Sequence, residues 1–386
     1  MNSLELFVGA GGMALGISEA GFNHQAVIEW NPDACETIRN NRSLHWPLYQ
    51  QDVRQFRYDD YSNIDLVAGG PPCQPFSIGG KARGFNDERD MFPEMVRAVR
   101  ELRPRAIFVE NVKGLLRHSF SEYFEYIILQ LSHPEIARKN DETWVNHLSR
   151  LERYHTQGKR EGLHYNVVFR LVNAADYGVP QRRERVFIVG FRSDLGVEWS
   201  FPEQTHSADA LLFDKWVTGD YWERHRVSRR ERSEMPSRIK KRVELLRACP
   251  PTSVQPWTTV RDAISDLPNP ESQKRRIDVP NHEFRPGARV YPGHTGSPLD
   301  EPAKTLKAGD HGVPGGENML VRPDGSVRYF TVRESARLQT FPDSYVFHGA
   351  WSESMRQLGN AVPMKLAGTV ATSIRNQLEK VGSIAR

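Results

Sequence analysis

The feature that most constrains the fold of this sequence is an alternation of short apolar runs with helix-like stretches over its first half. Six runs have the length and composition of buried strands: Leu4–Val8, Gln25–Glu29, Ile64–Ala68, Ala106–Val109, Val167–Asn173 and Arg185–Phe191. Helices are predicted through Ala20, at Pro32–Asn41 and at Met91–Leu102. Strands alternating with helices are typical of a doubly wound α/β sheet. The last two strands, close in sequence, are expected to be antiparallel neighbours, which would make the sheet mixed.

The character of the chain changes near residue 193, where the sequence becomes irregular and rich in Pro, Gly and charge. An apolar helical pattern returns near the end, with Val362, Leu366, Val370, Ile374 and Leu378 on one face. We interpret this pattern as a helix that packs back onto the first domain. The sequence therefore predicts a large domain, 1–192 plus 355–386, and a smaller irregular one, 193–354.

Composition narrows the class of protein. The formal net charge is only +4, so the distribution of charge matters more than its total. Three cysteines indicate a reducing compartment and no disulfide framework. The sequence shows no signal peptide, no apolar run long enough to span a membrane and no Cys/His cluster with zinc spacing. We expect a soluble, cytoplasmic protein that binds neither a membrane nor a metal.

A glycine-rich turn follows the first predicted strand. Its glycines, Gly9, Gly11 and Gly12, would let the backbone approach a ligand at the carboxyl end of that strand. Glu29, at the end of the second strand, can accept hydrogen bonds from both ribose hydroxyls of a nucleotide. Asp52, after a short third strand, could hold an adenine amino group. The pattern fits NAD and S-adenosylmethionine equally well, and a tight turn without a ligand is the alternative.

The most specific stretch of the chain is the cysteine loop Gly69–Ser77, which follows the strand Ile64–Ala68. Prolines on both sides of Cys73 restrict the backbone, and nearby glycines would permit the loop to move. An exposed cysteine in a stiff turn beside a ligand pocket is a candidate nucleophile. Cys35 and Cys249 lack this context and are interpreted as small buried side chains.

Together these motifs resemble the cytosine-C5 DNA methyltransferase family. The resemblance rests on motifs in the family's usual order, over residues 4–192 and 331–375: Phe7–Gly12, Pro72-Cys73-Gln74, Glu110-Asn111-Val112, Gln181–Arg185, Arg333–Pro342 and Gly359–Pro363. It implies a Rossmann-like methyltransferase domain that uses S-adenosyl-L-methionine, followed by a target-recognition domain from about 193 to 330. The divergent region between the motif groups is where members of this family differ.

The resemblance implies a mechanism in which Cys73 adds to C6 of a cytosine and Glu110 interacts with N3 and the exocyclic amine. Arg183 and Arg185 alternate along a predicted strand, so one of them can brace Glu110 or the cytosine O2. The cofactor-binding residues would be Phe7, Gly9, Ala10, Gly11, Gly12, Glu29, Trp30, Asp52, Val53, Pro72, Asn360, Ala361 and Val362.

The target atoms lie inside the DNA stack, so the base must be flipped out of the duplex. The segment Gln74–Asp90 could close over it, and the basic run Arg224–Arg242 fits phosphate contact. The segment Asp300–Gly316 has turn chemistry suited to loops that enter a groove. The candidate DNA-binding residues are Gln74, Ser77, Lys81, Arg83, Arg89, Arg229, Arg230, Lys240 and Lys241.

Two other functions share part of this sequence pattern. An NAD-dependent oxidoreductase shares the glycine-rich turn but leaves the Pro-Cys-Gln loop and the paired arginines unexplained. An RNA (tRNA) cytosine methyltransferase shares the catalytic pattern, but the large divergent region favours duplex DNA. The resemblance further implies a bacterial restriction-modification enzyme that acts as a monomer, paired functionally with a restriction endonuclease.

Overall fold

A computed structural model describes residues 1–72, 90–158, 162–272, 279–292, 295–308 and 318–384. Its strands in chain order are β1 (Asn2–Leu6), β2 (Asn23–Glu29), β3 (Leu48–Gln50), β4 (Leu66–Gly69), β5 (Ala106–Val112), β6 (Tyr165–Asn173), β7 (Glu184–Arg192), β8 (His206–Ser207), β9 (Gln255–Pro256), β10 (Ser297–Pro298), β11 (Met319–Val321) and β12 (Val327–Tyr329). Its α-helices are α1 (Gly12–Glu19), α2 (Pro32–Asn40), α3 (Phe92–Leu102), α4 (Ser121–Ser132), α5 (Trp144–Thr156), α6 (Ala208–Phe213), α7 (Asp220–Arg224), α8 (Lys240–Ala248), α9 (Val260–Ile264), α10 (Val332–Leu338), α11 (Trp351–Asn360) and α12 (Met364–Ile384).

The first half folds around a seven-stranded sheet in the order β3-β2-β1-β4-β5-β7-β6. The first five strands in this order are parallel, whereas β7 runs antiparallel to both β5 and β6. This mixed α/β sheet confirms the predicted fold class and the antiparallel pairing of the last two strands. Parallel order places the carboxyl ends of β1, β2, β4 and β5 at one edge, where open α/β sheets bind ligands.

Two strand predictions at this edge need correction. Glu110 was expected to follow a strand ending at Val109, but β5 continues to Val112 because its last residues pair with β7. Arg183 was placed in a strand with Arg185, but β7 begins at Glu184 and Arg183 lies in the turn before it. The two arginines therefore do not alternate along one strand.

Helices cover both faces of the sheet. On one face α3, α4 and α5 enclose a core that contains Leu4 and Leu6, and on the other face α1 and α12 cover Leu66 and Phe108. The long helix α12 packs closely on α1, since a side-chain carbon added at Gly16 would lie 2.5 Å from the Gly368 amide nitrogen. This contact confirms that the C-terminal helix returns to the first domain.

The region from 193 to 330 has little regular structure among its described residues. It contains the short parallel pair β8–β9, the small sheet β10-β11-β12 and the helices α6–α9. One small core joins Leu211, Tyr221, Trp222 and Val227, and a second joins α9 to residues 303–338. The predicted division into domains stays a prediction, because α10 and residues 341–347 also pack against Ala10 and Leu15 of the first half.

No helix of the described residues has the length and apolarity that a membrane span requires.

Candidate active site

The glycine-rich turn after β1 has the open backbone that a ligand site requires. Gly9 (φ +55°) has no atom within 4 Å of where a side-chain carbon would be, so the space above it is open. Gly11 and Gly12 instead meet protein, and a side-chain carbon at Gly12 would lie 2.3 Å from the Val362 carbonyl oxygen. Phe7 has a left-handed φ of 56°, a strained conformation that non-glycine residues retain mainly at functional sites. The turn therefore combines strain, an open position and close contact with the C-terminal motif.

Glu29 lies at the end of β2, directly beside this turn. Its Oε2 accepts a hydrogen bond from the Gly9 amide at 2.8 Å, and its Oε1 accepts from the amides of Trp30 and Asn31 at 3.0 and 2.8 Å. These bonds fix the carboxylate, while Oε2 keeps a lone pair for a further donor. The next ring, Trp30, is 72% exposed. A fixed carboxylate beside an exposed aromatic ring suits a nucleoside.

Asp52 follows β3 and caps the short turn Val53–Gln55. Both of its carboxylate oxygens contact the Arg54 guanidinium, which holds the pKa of Asp52 below its usual range. Val53 is buried in the core beneath it. The carboxylate is thus already paired, and its predicted role toward adenine stays a prediction.

Glu110 and Arg185 form the polar centre at the carboxyl edge of β4 and β5. Val112 pairs with Arg185 across the two strands, so Glu110, two residues away, projects from the same face as Arg185. Arg185 Nε lies 2.9 Å from Glu110 Oε1, and both side chains are almost completely buried. Burial raises the pKa of Glu110, and the positive charges of Arg185 and Arg183 oppose this rise. The pair can hold a proton on a carboxyl group that is fixed in position.

The chain leading to Cys73 starts beside this pair. A side-chain carbon at Gly70 would lie 3.4 Å from Glu110 Oε2, and the Asn111 side-chain amide donates to the Pro71 carbonyl at 3.1 Å. Pro71 is buried and Pro72 is exposed. Cys73 itself lies outside the described residues, as do Gln74, Ser77, Lys81, Arg83 and Arg89. The described contacts therefore place the start of the cysteine loop, and nothing further along it, at Glu110.

Arg183 is fully buried and binds backbone rather than Glu110. Its Nη1 donates to the Leu306 carbonyl at 3.0 Å and its Nη2 to the Gly359 carbonyl at 2.7 Å. Burial and the neighbouring Arg185 lower its pKa. The guanidinium ties together two distant segments of the chain, just before Asn360.

Gln181 belongs to the motif Gln181–Arg185, but the sequence indicated no role for it. Gln181 accepts a hydrogen bond from the Leu306 amide at 2.9 Å and donates to the Leu338 carbonyl at 3.3 Å. The segment 303–308, expected to form part of a loop entering a groove, instead packs here against the turn before β7. Residues 309–316 of that expected loop lie outside the described part of the chain. The signal available in the sequence was a glutamine directly before a pair of arginines.

The C-terminal motif Gly359–Pro363 packs against residues 307–308 and against the glycine-rich turn. Gly359 is so close to residues 307–308 that a side-chain carbon would lie 2.2 Å from the Ala308 amide nitrogen. Asn360 is exposed, whereas Ala361 and Val362 are buried against the glycine-rich turn. The Tyr345 hydroxyl, another group that the sequence did not single out, donates to the Ala10 carbonyl at 2.7 Å. The predicted cofactor residues at both ends of the chain are therefore brought together.

The basic run separates into two groups. Arg224 forms an ion pair with Asp214 at 3.0 Å, and Arg242 forms one with Asp209. The candidate DNA-binding residues of the run are all exposed: Arg229, Arg230, Lys240 and Lys241. Among the residues that the structure describes, no group of three or more His, Cys, Asp or Glu side chains could hold a metal ion.

Comparisons with known proteins identify the family of this chain. Residues 1–134 and 144–376 match the family model described as C-5 cytosine-specific DNA methylase. The Type II methyltransferase M.NgoMIV of Neisseria gonorrhoeae is 32% identical over 382 residues, which are 98% of this chain and 98% of that protein. The Type II methyltransferase M.Eco47II of Escherichia coli is 34% identical over 387 residues, covering 98% of this chain and 79% of that protein.

Solved structures show the same fold. The crystal structure of the S. pombe Dnmt2 methyltransferase aligns with a TM-score of 0.56 and 17% identity, covering 98% of this chain and 99% of that one. At this identity the likeness is evidence for the fold alone. The family match over nearly the whole sequence and the full-length relatives carry the assignment further: this chain belongs to the C-5 cytosine-specific DNA methylase family and is a DNA (cytosine-5-)-methyltransferase.

Proposed function

We propose that this enzyme transfers a methyl group from S-adenosylmethionine to C5 of a flipped cytosine in a specific duplex DNA site, through a covalent bond between Cys73 and C6. The observation that carries the proposal is the buried Glu110–Arg185 pair, with a 2.9 Å contact, beside the residues that lead into Cys73. A carboxyl group at this position can face the same base that the cysteine would attack.

Cytosine C5 is too weak a nucleophile to accept a methyl group unaided. Addition of the Cys73 thiolate forms the S–C6 bond and moves the electron pair of the C5–C6 double bond into the ring. Glu110, in its protonated form, donates to N3, so the ring becomes an enamine with a nucleophilic C5. Burial favours this neutral form of Glu110 by raising its pKa.

The residues of the glycine-rich turn support a site for the cofactor. Gly9 leaves open space, Glu29 offers a fixed carboxylate for ribose hydroxyls and Trp30 offers an exposed ring for adenine. When bound there, the cofactor supplies an electrophilic sulfonium methyl group and leaves as a thioether. Once C5 carries the methyl group, its proton leaves to a base from solvent, the double bond forms again, and the S–C6 bonding pair returns to Cys73.

Glu110 and Arg185 have separate tasks in this proposal. Glu110 exchanges a proton with N3 and accepts a hydrogen bond from the exocyclic amine. Arg185 holds the Glu110 carboxyl group in position through its Nε contact. Arg183 acts indirectly, because its Nη1 and Nη2 donate to the carbonyl groups of Leu306 and Gly359. We therefore assign it a positioning role rather than a catalytic one.

The relatives named as Type II methyltransferases support a role of this enzyme in restriction-modification, with double-stranded DNA as its substrate. The exposed charges of Arg229, Arg230, Lys240 and Lys241 would contact phosphates.

A mechanism-based trap tests the proposal. Duplex DNA with 5-fluorocytosine at the target should form a stable adduct with the wild-type protein, since the fluorine cannot leave as a proton does. Cys73→Ser should form no adduct. Cys249→Ser should form as much adduct as the parent, and it is a suitable control because Cys249 is exposed, contrary to the prediction that it is buried. If the wild type methylates ordinary DNA at C5 but forms no adduct, the covalent mechanism is wrong. Methyl transfer to a tRNA substrate but not to duplex DNA would overturn the assignment of the substrate.

A further inference from the structure

Residues 283–291 form a mostly exposed segment that contains three large apolar side chains and two arginines. Phe284 is 42% exposed, Val290 53% and Tyr291 40%, within eight residues of one another. Arg285 and Arg289 lie between them and are exposed as well. Side chains of this size are costly to leave in water as a cluster, so such a patch marks a surface that binds something.

The start of this segment is held rigidly. The Asn281 side chain accepts a hydrogen bond from the Phe347 amide at 2.8 Å and donates to the Phe347 carbonyl at 3.1 Å. The two ring nitrogens of His282 contact the Thr331 hydroxyl at 2.8 Å and the Pro268 carbonyl at 2.7 Å. The fully buried Arg333 donates to the Pro280 carbonyl at 3.1 Å. The exposed residues therefore project from a fixed base.

The two arginines are in different situations. Arg285 lies 5.7 Å from the centre of the Trp351 ring, a cation–π contact with the body of the protein. Pro286 and Gly287 follow, and Gly287 has a left-handed φ of +94°, a backbone conformation that favours glycine. Arg289 lies two residues after Gly287, next to Val290, the most exposed apolar side chain of the segment.

This combination fits base edges better than phosphates. A phosphate contact needs only a positive charge, as the exposed lysines at the start of α8 provide. In the major groove, guanine presents two acceptors that match the fork of a guanidinium, and thymine presents a methyl group that matches an apolar side chain. An arginine with large apolar neighbours on a rigid base has the chemistry for both.

We propose that Arg289 is a specificity-determining residue of this enzyme, and that it donates to a guanine in the target site while Phe284 and Val290 exclude water around it. The inference rests on the proposed function and adds to it a division of labour within the DNA-binding surface. Residues 283–291 supply sequence discrimination, and the exposed cluster Arg229, Arg230, Lys240 and Lys241 supplies affinity.

The test compares Arg289→Ala with Lys240→Ala in methyl transfer to a library of duplexes, with methylated cytosines identified by sequencing. The wild type defines the target site from the same library. Arg289→Ala should lower kcat/KM at the target site by about tenfold or more. At sites in which the base pair read by Arg289 is replaced, the variant should methylate at the same rate as the wild type. Lys240→Ala should lower the rates at all sites by one common factor.

The thermal midpoint and S-adenosylmethionine binding of Arg289→Ala should match those of the parent, which excludes misfolding as the cause. Equal loss at every site, or no change at any site, would overturn the inference and leave the proposed function intact. Failure of the wild type to methylate any duplex in the library would instead overturn the proposed function itself.

Discussion

Glu110 combines an environment that opposes ionisation with a neighbour that favours it. Burial raises its pKa, whereas Arg185, at 2.9 Å, stabilises the carboxylate. Burial thus favours the protonated form of Glu110, and the contact with Arg185 limits this effect while it fixes the carboxyl group in position.

We expect Glu110→Gln to lower kcat by about 10²-fold or more, because the amide cannot exchange a proton with N3. The change should be measured in single-turnover methyl transfer, with S-adenosylmethionine binding as a check on the fold. Glu184→Gln is the matched control, since Glu184 is an exposed carboxylate at the start of β7 that pairs with Lys113. Retention of the parental kcat in Glu110→Gln would contradict the assigned role.

Gly359 shows how little room the site leaves at a single position. We predict that Gly359→Ala lowers the free energy of unfolding by about 1–3 kcal/mol, since the added carbon would lie 2.2 Å from the Ala308 amide. Gly382→Ala, in open space on α12, should not destabilise the protein. Chemical unfolding of the two variants beside the parent measures the difference, and equal stabilities would show that the backbone at 307–308 yields without cost.

At the scale of elements, His24 joins two strands to a helix. Its ring nitrogens contact the Ser3 hydroxyl of β1 and the Ala14 carbonyl of α1, each at 3.0 Å. Burial lowers the pKa of His24 to about 4. His133, at the end of α4, also has its pKa lowered to about 4, by burial and by its neighbours His164 and His155. Both rings are neutral in the folded state.

These histidines predict a loss of stability in acid. Between about pH 6.5 and 4 the unfolded chain binds protons that the folded rings do not, so the unfolding free energy should fall as pH decreases through this window. Each such group contributes a slope of up to about 1.4 kcal/mol per pH unit. His24→Gln should show a shallower fall than the parent, and His118→Gln, at an exposed position, should not. Equal slopes in all three proteins would contradict the prediction.

The elements also show what the sequence could and could not predict. Strands β1, β2, β4 and β5 and helix α12 were predictable because period and apolarity mark buried elements. The extension of β5 to Val112 was not, since polar Glu110 and Asn111 end the apolar run and only pairing with β7 keeps them in the strand. The sequence predicted that Arg183 or Arg185 could brace Glu110 or the cytosine O2, and the structure shows that Arg185 is the one in contact with Glu110. The contacts of Arg183 were not predictable, because they depend on segments more than 120 residues away.

At the scale of the whole molecule, the positions of the charged residues matter more for DNA binding than the net charge. Within a net charge of +4, the exposed Arg229, Arg230, Lys240 and Lys241 differ from Arg224 and Arg242, which form ion pairs with Asp214 and Asp209. A side chain already paired with a carboxylate is less able to displace counterions from DNA.

The salt dependence of DNA binding should reveal this distinction. The slope of log K against log salt concentration should become shallower by about 1.8 in the double variant Lys240→Ala/Lys241→Ala, as about 0.9 is lost per phosphate contact. Arg242→Ala, on the same helix but paired with Asp209, should change the slope much less. Fluorescence anisotropy titrations over a range of salt concentrations measure both. An unchanged slope in the double variant would place the phosphate contacts elsewhere.

The hydrogen bonds that join Gln181 and Arg183 to distant backbone groups limit how such an enzyme could acquire a new target sequence. These two buried side chains bind residue 306, and Arg183 also binds residue 359, so a few hydrogen bonds join the turn before β7 to two distant segments of the chain. A chimaera in which residues 193–330 came from a relative would lose the hydrogen bonds to residue 306 unless the new sequence had the same backbone conformation at 303–308. An exchange of this region is therefore constrained by a few buried amide and carbonyl groups as well as by any residues that contact DNA.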